Sequence, residues 1–126
     1  MFMKKILVVE DDPVAAKMYI GCLQKAGYET DLAVDGQIGL ERIKEFRPDG
    51  ILLDLMLPKI SGISLLKMIR GMLEFKSLPV IAYTNAFLPA VVEEALKAGA
   101  SKVFDKSKLT PPIITTEFEM AVQDRK

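Results

Sequence analysis

Gly50-Ile51-Leu52-Leu53-Asp54 is a fully apolar run that closes on a carboxylate, and its reading decides the fold. Arg47-Pro48-Asp49 before it and Pro58 after it are turn signals, so the run reads as a short buried strand. A carboxylate at the end of such a strand sits where a parallel sheet opens to solvent, the edge at which open α/β folds bind ligands. The pattern recurs outward along the chain. Lys5-Ile6-Leu7-Val8-Val9 runs into Glu10-Asp11-Asp12, Val80-Ile81-Ala82-Tyr83 into Thr84, and Val103-Phe104 into Asp105-Lys106. Acids, a hydroxyl and an amine therefore gather at strand ends, a set able to hold a divalent cation and a phosphoryl group together.

Between the strands lie helical stretches, and this alternation specifies a parallel sheet of the α/β class. The first helix is predicted from Pro13 to Ala26, with Asp12 as N-cap, Pro13 as first residue and Gly27 as terminator. Val14, Met18, Cys22 and Ala26 share one face of it at helical spacing and are its expected inner stripe. A strand near Glu29 to Val34 turns at Asp35-Gly36 into a second helix ending near Phe46, where Gly39 is a mild flaw of about 1 kcal/mol against Ala. The third helix is expected at about Ser61 to Leu73, with Leu65, Met68, Ile69 and Met72 inward. The fourth is expected from Pro89 to Ala98. The fifth follows Thr110-Pro111-Pro112 with Ile114, Phe118, Ala121 and Val122 on one side. The methionines at 18, 68, 72 and 120 read as core.

Composition narrows the function classes. The 126 residues suit one domain, taken here as 1–126 with no output domain, and half of them are hydrophobic. No run of eighteen apolar residues exists and the N-terminus has no secretory layout, so no membrane span is expected. Cys22 has no cysteine partner, which together with these features favours the cytoplasm. Seventeen basic and seventeen acidic residues balance, without the basic surplus of a direct nucleic-acid binder. Histidine is absent, which excludes a Cys-His nucleophile, a phosphohistidine carrier and a histidine metal site. No Gly-x-Gly-x-x-Gly follows the first strand, which argues against a dinucleotide site.

Four motifs in register carry a resemblance over essentially the whole chain. Leu7-Val8-Val9-Glu10-Asp11-Asp12-Pro13, Asp54-Leu55-Met56-Leu57-Pro58 with Gly62, Thr84, and Gly99-Ala100 leading to Lys106 resemble the receiver domain of two-component response regulators. The resemblance implies a flavodoxin-like, doubly wound, five-stranded parallel sheet of order 2-1-3-4-5 with helices on both faces. It implies that Asp54 accepts a phosphoryl group, that Asp11, Asp54 and the backbone carbonyl of Met56 ligate Mg2+, and that Glu10 holds a metal-bound water. Thr84 would donate its hydroxyl to a phosphoryl oxygen, and Lys106 would pair with Asp54 and then with the phosphoryl group. Asp12 is read mainly as a helix cap.

By the same resemblance the chain is a signalling phosphoacceptor that promotes its own phosphorylation and dephosphorylation. Its donor would be a histidine kinase or phosphotransfer protein, and its output a change of contacts with an unknown downstream protein near the fourth helix, fifth strand and fifth helix. A homodimer on activation stays open. The alternative is a pseudo-receiver that binds protein without cycling phosphate. An Asp-nucleophile phosphatase ranks low, because its second acid would fall at Met56. Two departures stand out. Ser107 follows Lys106 where the family usually has proline, and Val103 stands where the family usually has the aromatic ring that reorients on activation. Phe104, one residue later, is expected on the opposite face of the strand, packed as core. Asn85 would narrow access to the phosphate, and Phe87 and Leu88 are read either as inward loop residues or as part of a partner surface.

Overall fold

In the computed structural model, which describes residues 3–123, the strands fall where apolar runs are bounded by turn residues. They are β1 (Lys5–Val9), β2 (Glu29–Ala33), β3 (Gly50–Asp54), β4 (Val80–Thr84) and β5 (Lys102–Asp105), with helices α1 (Pro13–Lys25), α2 (Gly36–Phe46), α3 (Gly62–Arg70), α4 (Pro89–Ala98) and α5 (Pro111–Gln123) between and after them. The sheet order is β2-β1-β3-β4-β5, and every pairing is parallel. This is the parallel α/β sheet that the alternation predicted, in the doubly wound order that the resemblance implied. Parallel strands covered on both faces lose the polar alternation of a half-exposed sheet, which is why β1, β3 and β4 read as nearly continuous apolar runs.

The period of two divides the core into two layers. Leu7, Val9, Leu53 and Ala82 point to one face and pack with Ile43 of α2, Leu65, Leu66 and Ile69 of α3, and Ala95 of α4. Ile6, Val8, Leu52 and Tyr83 point to the other and pack with Tyr19 and Leu23 of α1 and Ile114, Phe118 and Val122 of α5. Val103 and Phe104 follow the same rule, Val103 packing on the first layer and Phe104, half-buried, on the second.

Local signals set the helix ends. Asp12, Asp35 and Ser61 each accept a backbone amide of the first turn, from Ala15, Ile38 and Ser64 respectively. Gly27 follows α1 in the left-handed region at φ 95°, as its terminator role requires. The third helix is shorter than its apolar pattern: it stops at Arg70, and a separate 3-10 turn covers Leu73–Phe75.

Three expectations about packing are corrected. In α1 the inward stripe is Ala16, Tyr19 and Leu23, while Val14 is 77% exposed and Met18 46% exposed. The segment is apolar nearly all round, so a four-residue spacing fits either face, and the bulk of Tyr19 and Leu23 decides which one the sheet takes. In α3, Leu66 takes the inward place expected of Met68, which is exposed; Met120 is exposed as well, and only Met72 of the four methionines is half-buried. Gly39 is not a flaw but a point of close approach: a Cβ there would lie 3.2 Å from Leu65 Cδ2 and 3.4 Å from Val9 Cγ1, so its lack of a side chain lets α2 settle on β1 and α3.

Candidate functional site

Because all five strands run the same way, their carboxyl ends meet along one edge of the sheet. Val9 is level with Leu53, which sets Glu10 beside Asp54, and Thr84 is level with Asp105, one step before Lys106. Period two then turns Glu10, Asp54, Tyr83 and Lys106 toward the α1 and α5 face of the sheet, while Thr84 falls with Val103 on the α4 face.

One carboxylate oxygen from each of Glu10, Asp11 and Asp54 lies within 4.8 Å of the others, with Glu10 and Asp54 buried and Asp11 exposed. This all-oxygen cluster suits a hard divalent cation. Lys106 Nζ is 3.0 Å from Glu10 Oε1 and 4.0 Å from Asp54 Oδ2. The Met56 amide donates to Asp54 Oδ1 at 2.9 Å, so the loop after β3 aims the carboxylate. Gly62 closes that loop: its amide donates to the Leu55 carbonyl, and a Cβ on it would come within 2.5 Å of the Asp54 carbonyl oxygen and Leu55 Cα. The Thr84 hydroxyl is fully buried and accepts the Ala86 amide at 3.0 Å, which leaves its O–H to donate elsewhere.

The two buried acids are shifted in opposite directions. Burial pushes the Asp54 carboxyl up to about 6, and the charge of Glu10 adds to that push; the Met56 amide and Lys106 only partly oppose it. Burial also acts to raise Glu10, but hydrogen bonds from Tyr83, the Asp12 amide and Lys106 outweigh it and hold Glu10 below the usual carboxylate range. Glu10 has three donors and Asp54 one, which accounts for the contrast. Lys106 loses charge stability through burial, yet Glu10 and Asp54 restore it and lift the amine above its ordinary value.

The loop carrying Lys106 is built without the family's proline. Asp105 accepts from both the Ser107 amide (3.0 Å) and the Ser107 hydroxyl (2.8 Å), capping a 3-10 turn over Lys106–Lys108. Asp12 caps α1 and its amide donates to Glu10 Oε2, in line with its reading as a capping residue. Sequence reasoning missed Tyr83, whose hydroxyl donates to Glu10 Oε1 at 2.6 Å. The available clue was a tyrosine one residue before the end of a buried, otherwise apolar run, where its O–H needs a partner. Asn85, Phe87 and Leu88 are exposed beyond Thr84, so the inward packing weighed for Phe87 and Leu88 is not adopted.

Residues 6–116 match the family model of the response regulator receiver domain. The chain is 32% identical over 109 residues to the polar-differentiation response regulator DivK of Brucella anthropi, an alignment that covers 86% of this chain and 88% of that one. Among solved structures it is similar to the chemotaxis response regulator CheY4 of Vibrio cholerae, with a TM-score of 0.88 and 28% identity over 95% of this chain and 99% of that one. It is equally similar to the receiver domain of the sensor histidine kinase PA1611 from Pseudomonas aeruginosa, with a TM-score of 0.88 and 28% identity over 97% and 99% of the two chains. That structure has a magnesium ion coordinated in its active site cleft.

Proposed function

The chain belongs to the response regulator receiver domain family, and from that premise we propose that it accepts a phosphoryl group on Asp54 and answers by changing its protein contacts. The observation that carries the reading is the buried Asp54 carboxylate at the end of β3, gathered with Glu10 and Asp11 and faced by the Lys106 amine.

In the proposed step a carboxylate oxygen of Asp54 attacks the phosphorus of a phosphohistidine on a histidine kinase or phosphotransfer protein. A P–O bond forms, the P–N bond breaks, and its electron pair returns to the donor imidazole. The product is an acyl phosphate, and the work of the protein is positioning and charge neutralisation. The Met56 amide fixes one carboxylate oxygen, and Lys106 moves from Glu10 toward the new phosphoryl oxygens. The Thr84 hydroxyl turns its free donor to the same group. Asp11, Asp54 and the Met56 carbonyl would hold Mg2+, with Glu10 behind them through a water. The bound cation would neutralise the crowded acids and the phosphoryl oxygens. Hydrolysis of the acyl phosphate by water would return the chain to rest, so the site would promote both halves of its own cycle. No helix among the described residues is long and apolar enough to cross a membrane; we place the protein in the cytoplasm, where such donors act.

Intact-mass spectrometry after incubation with acetyl phosphate and Mg2+ tests the reading. One phosphoryl group should appear on the wild-type chain and none on Asp54→Asn. An unmodified wild type would leave the pseudo-receiver alternative standing.

A further inference from the structure

The hydroxyl of Tyr83 makes a buried hydrogen bond that the proposed chemistry does not use. Tyr83 and Glu10 are both fully buried, and the Tyr83 O–H donates to Glu10 Oε1 at 2.6 Å. The same oxygen accepts from Lys106 Nζ at 3.0 Å, and Glu10 Oε2 accepts the Asp12 amide at 2.9 Å. Lys106 Nζ also lies 5.5 Å from the centre of the Tyr83 ring, which is held edge-on against Tyr19 with centroids 5.3 Å apart. Tyr83 therefore touches both members of the Glu10–Lys106 pair from a position fixed by the core.

This arrangement bears on how Lys106 changes partners. A buried carboxylate oxygen stripped of its donors is costly. When Lys106 leaves for the phosphoryl group, Oε1 keeps one donor only if the Tyr83 hydroxyl is present. With phenylalanine at 83, departure of the amine would leave Oε1 bare.

We infer that Tyr83 is a positioning residue which holds Glu10 so that Lys106 can be released from it to a phosphoryl group on Asp54. The inference rests on the phosphoacceptor reading of Asp54. It also gives the chain an aromatic side chain beside Lys106 on the α1 and α5 face, opposite to the side on which Val103 lies.

The test is the affinity of the Mg2+-loaded chain for beryllofluoride, a phosphoryl mimic, followed by amide NMR. Tyr83→Phe keeps the ring and the core, and amide dispersion checks that the variant is folded. It should weaken beryllofluoride binding about tenfold, the scale of a hydrogen bond to a charged group. In a Lys106→Ala background the same substitution should change binding by less than about twofold, because the effect passes through the amine. Equal weakening in both backgrounds would mean that the hydroxyl only supports the structure, and no weakening in the chain that keeps its lysine at 106 would mean that it plays no part; either result overturns the inference while leaving the Asp54 reading intact. A wild-type chain that does not bind beryllofluoride would instead remove the Asp54 reading, and this inference with it.

Discussion

Asp54→Asn should make the metal-free protein more stable, by an amount that depends on pH. Burial and the neighbouring Glu10 charge move Asp54 from its ordinary 3.8 up to about 6. Between those two values the folded chain keeps a proton that the unfolded chain has released, so stability falls as pH rises through the interval. Below it the cost is absent; above about pH 6 it is fully present. At about 1.4 kcal/mol for each pH step, the ionised carboxylate costs the folded chain about 3 kcal/mol. Asparagine carries no charge and still offers an Oδ1 to the Met56 amide, which donates to Asp54 at 2.9 Å, so the replacement keeps that contact. The attraction of Lys106, 4.0 Å away, is already included in the raised value. Urea unfolding in EDTA should therefore show the variant more stable by about 3 kcal/mol near pH 8 and matched to wild type near pH 4. Saturating Mg2+ should narrow the gap at high pH by stabilising the wild type. A gap independent of pH, or a variant less stable than wild type at high pH, would refute the account of a buried, under-compensated carboxylate.

Other substitutions probe the surrounding machinery. Asp11→Asn should weaken Mg2+ binding in a calorimetric titration far more than Asp12→Asn, because Asp12 caps α1 through Ala15 and asparagine caps as well; equal weakening would mean that the acidic pair is misplaced. Gly62→Ala should lower stability in urea by about 2 kcal/mol, the scale of an overpacked site, since its Cβ would meet backbone at 2.5 Å. Lys106→Ala should leave Asp54 open to a small phosphodonor but abolish most amide shifts on the α4 to α5 face; matching shifts in the phosphorylated wild type and variant would exclude the amine as the link. On binding beryllofluoride, the segment 85–88 should change its hydrogen exchange more than 102–105, because drawing the Thr84 hydroxyl toward the mimic disturbs its hold on the Ala86 amide, now 3.0 Å.

The sequence was most informative where backbone and burial leave few choices. Strands buried on both faces must be apolar along their whole length, so β1, β3 and β4 and the polar residues that end them could be read directly, and with them the meeting of Glu10, Asp11 and Asp54; Lys106 follows the partly buried β5 and was placed by the family resemblance. Helix faces were less legible. In α1 apolar residues surround the axis, and only contact with the sheet shows that Tyr19 and Leu23, not Val14 and Met18, lie inward. Gly39 carried a propensity cost on paper, but the closeness of Leu65 and Val9 that explains it depends on three elements meeting. The Tyr83 contact was hidden for the same reason: it joins residues 73 positions apart, and neither local pattern reveals the other. The turn of Asp105 and Ser107 that carries Lys106 without proline is a side-chain solution, invisible to a motif defined by the missing residue.

The central claim is that Asp54 becomes an acyl phosphate. Reduction of the phosphodonor-treated chain with borohydride converts an aspartyl phosphate to homoserine, and peptide mass spectrometry locates the change. Homoserine is expected at position 54 alone, dependent on both the phosphodonor and Mg2+. Reduction at Asp11, Asp12 or any other acid, or no reduction on a chain that has gained a phosphoryl group, would contradict it.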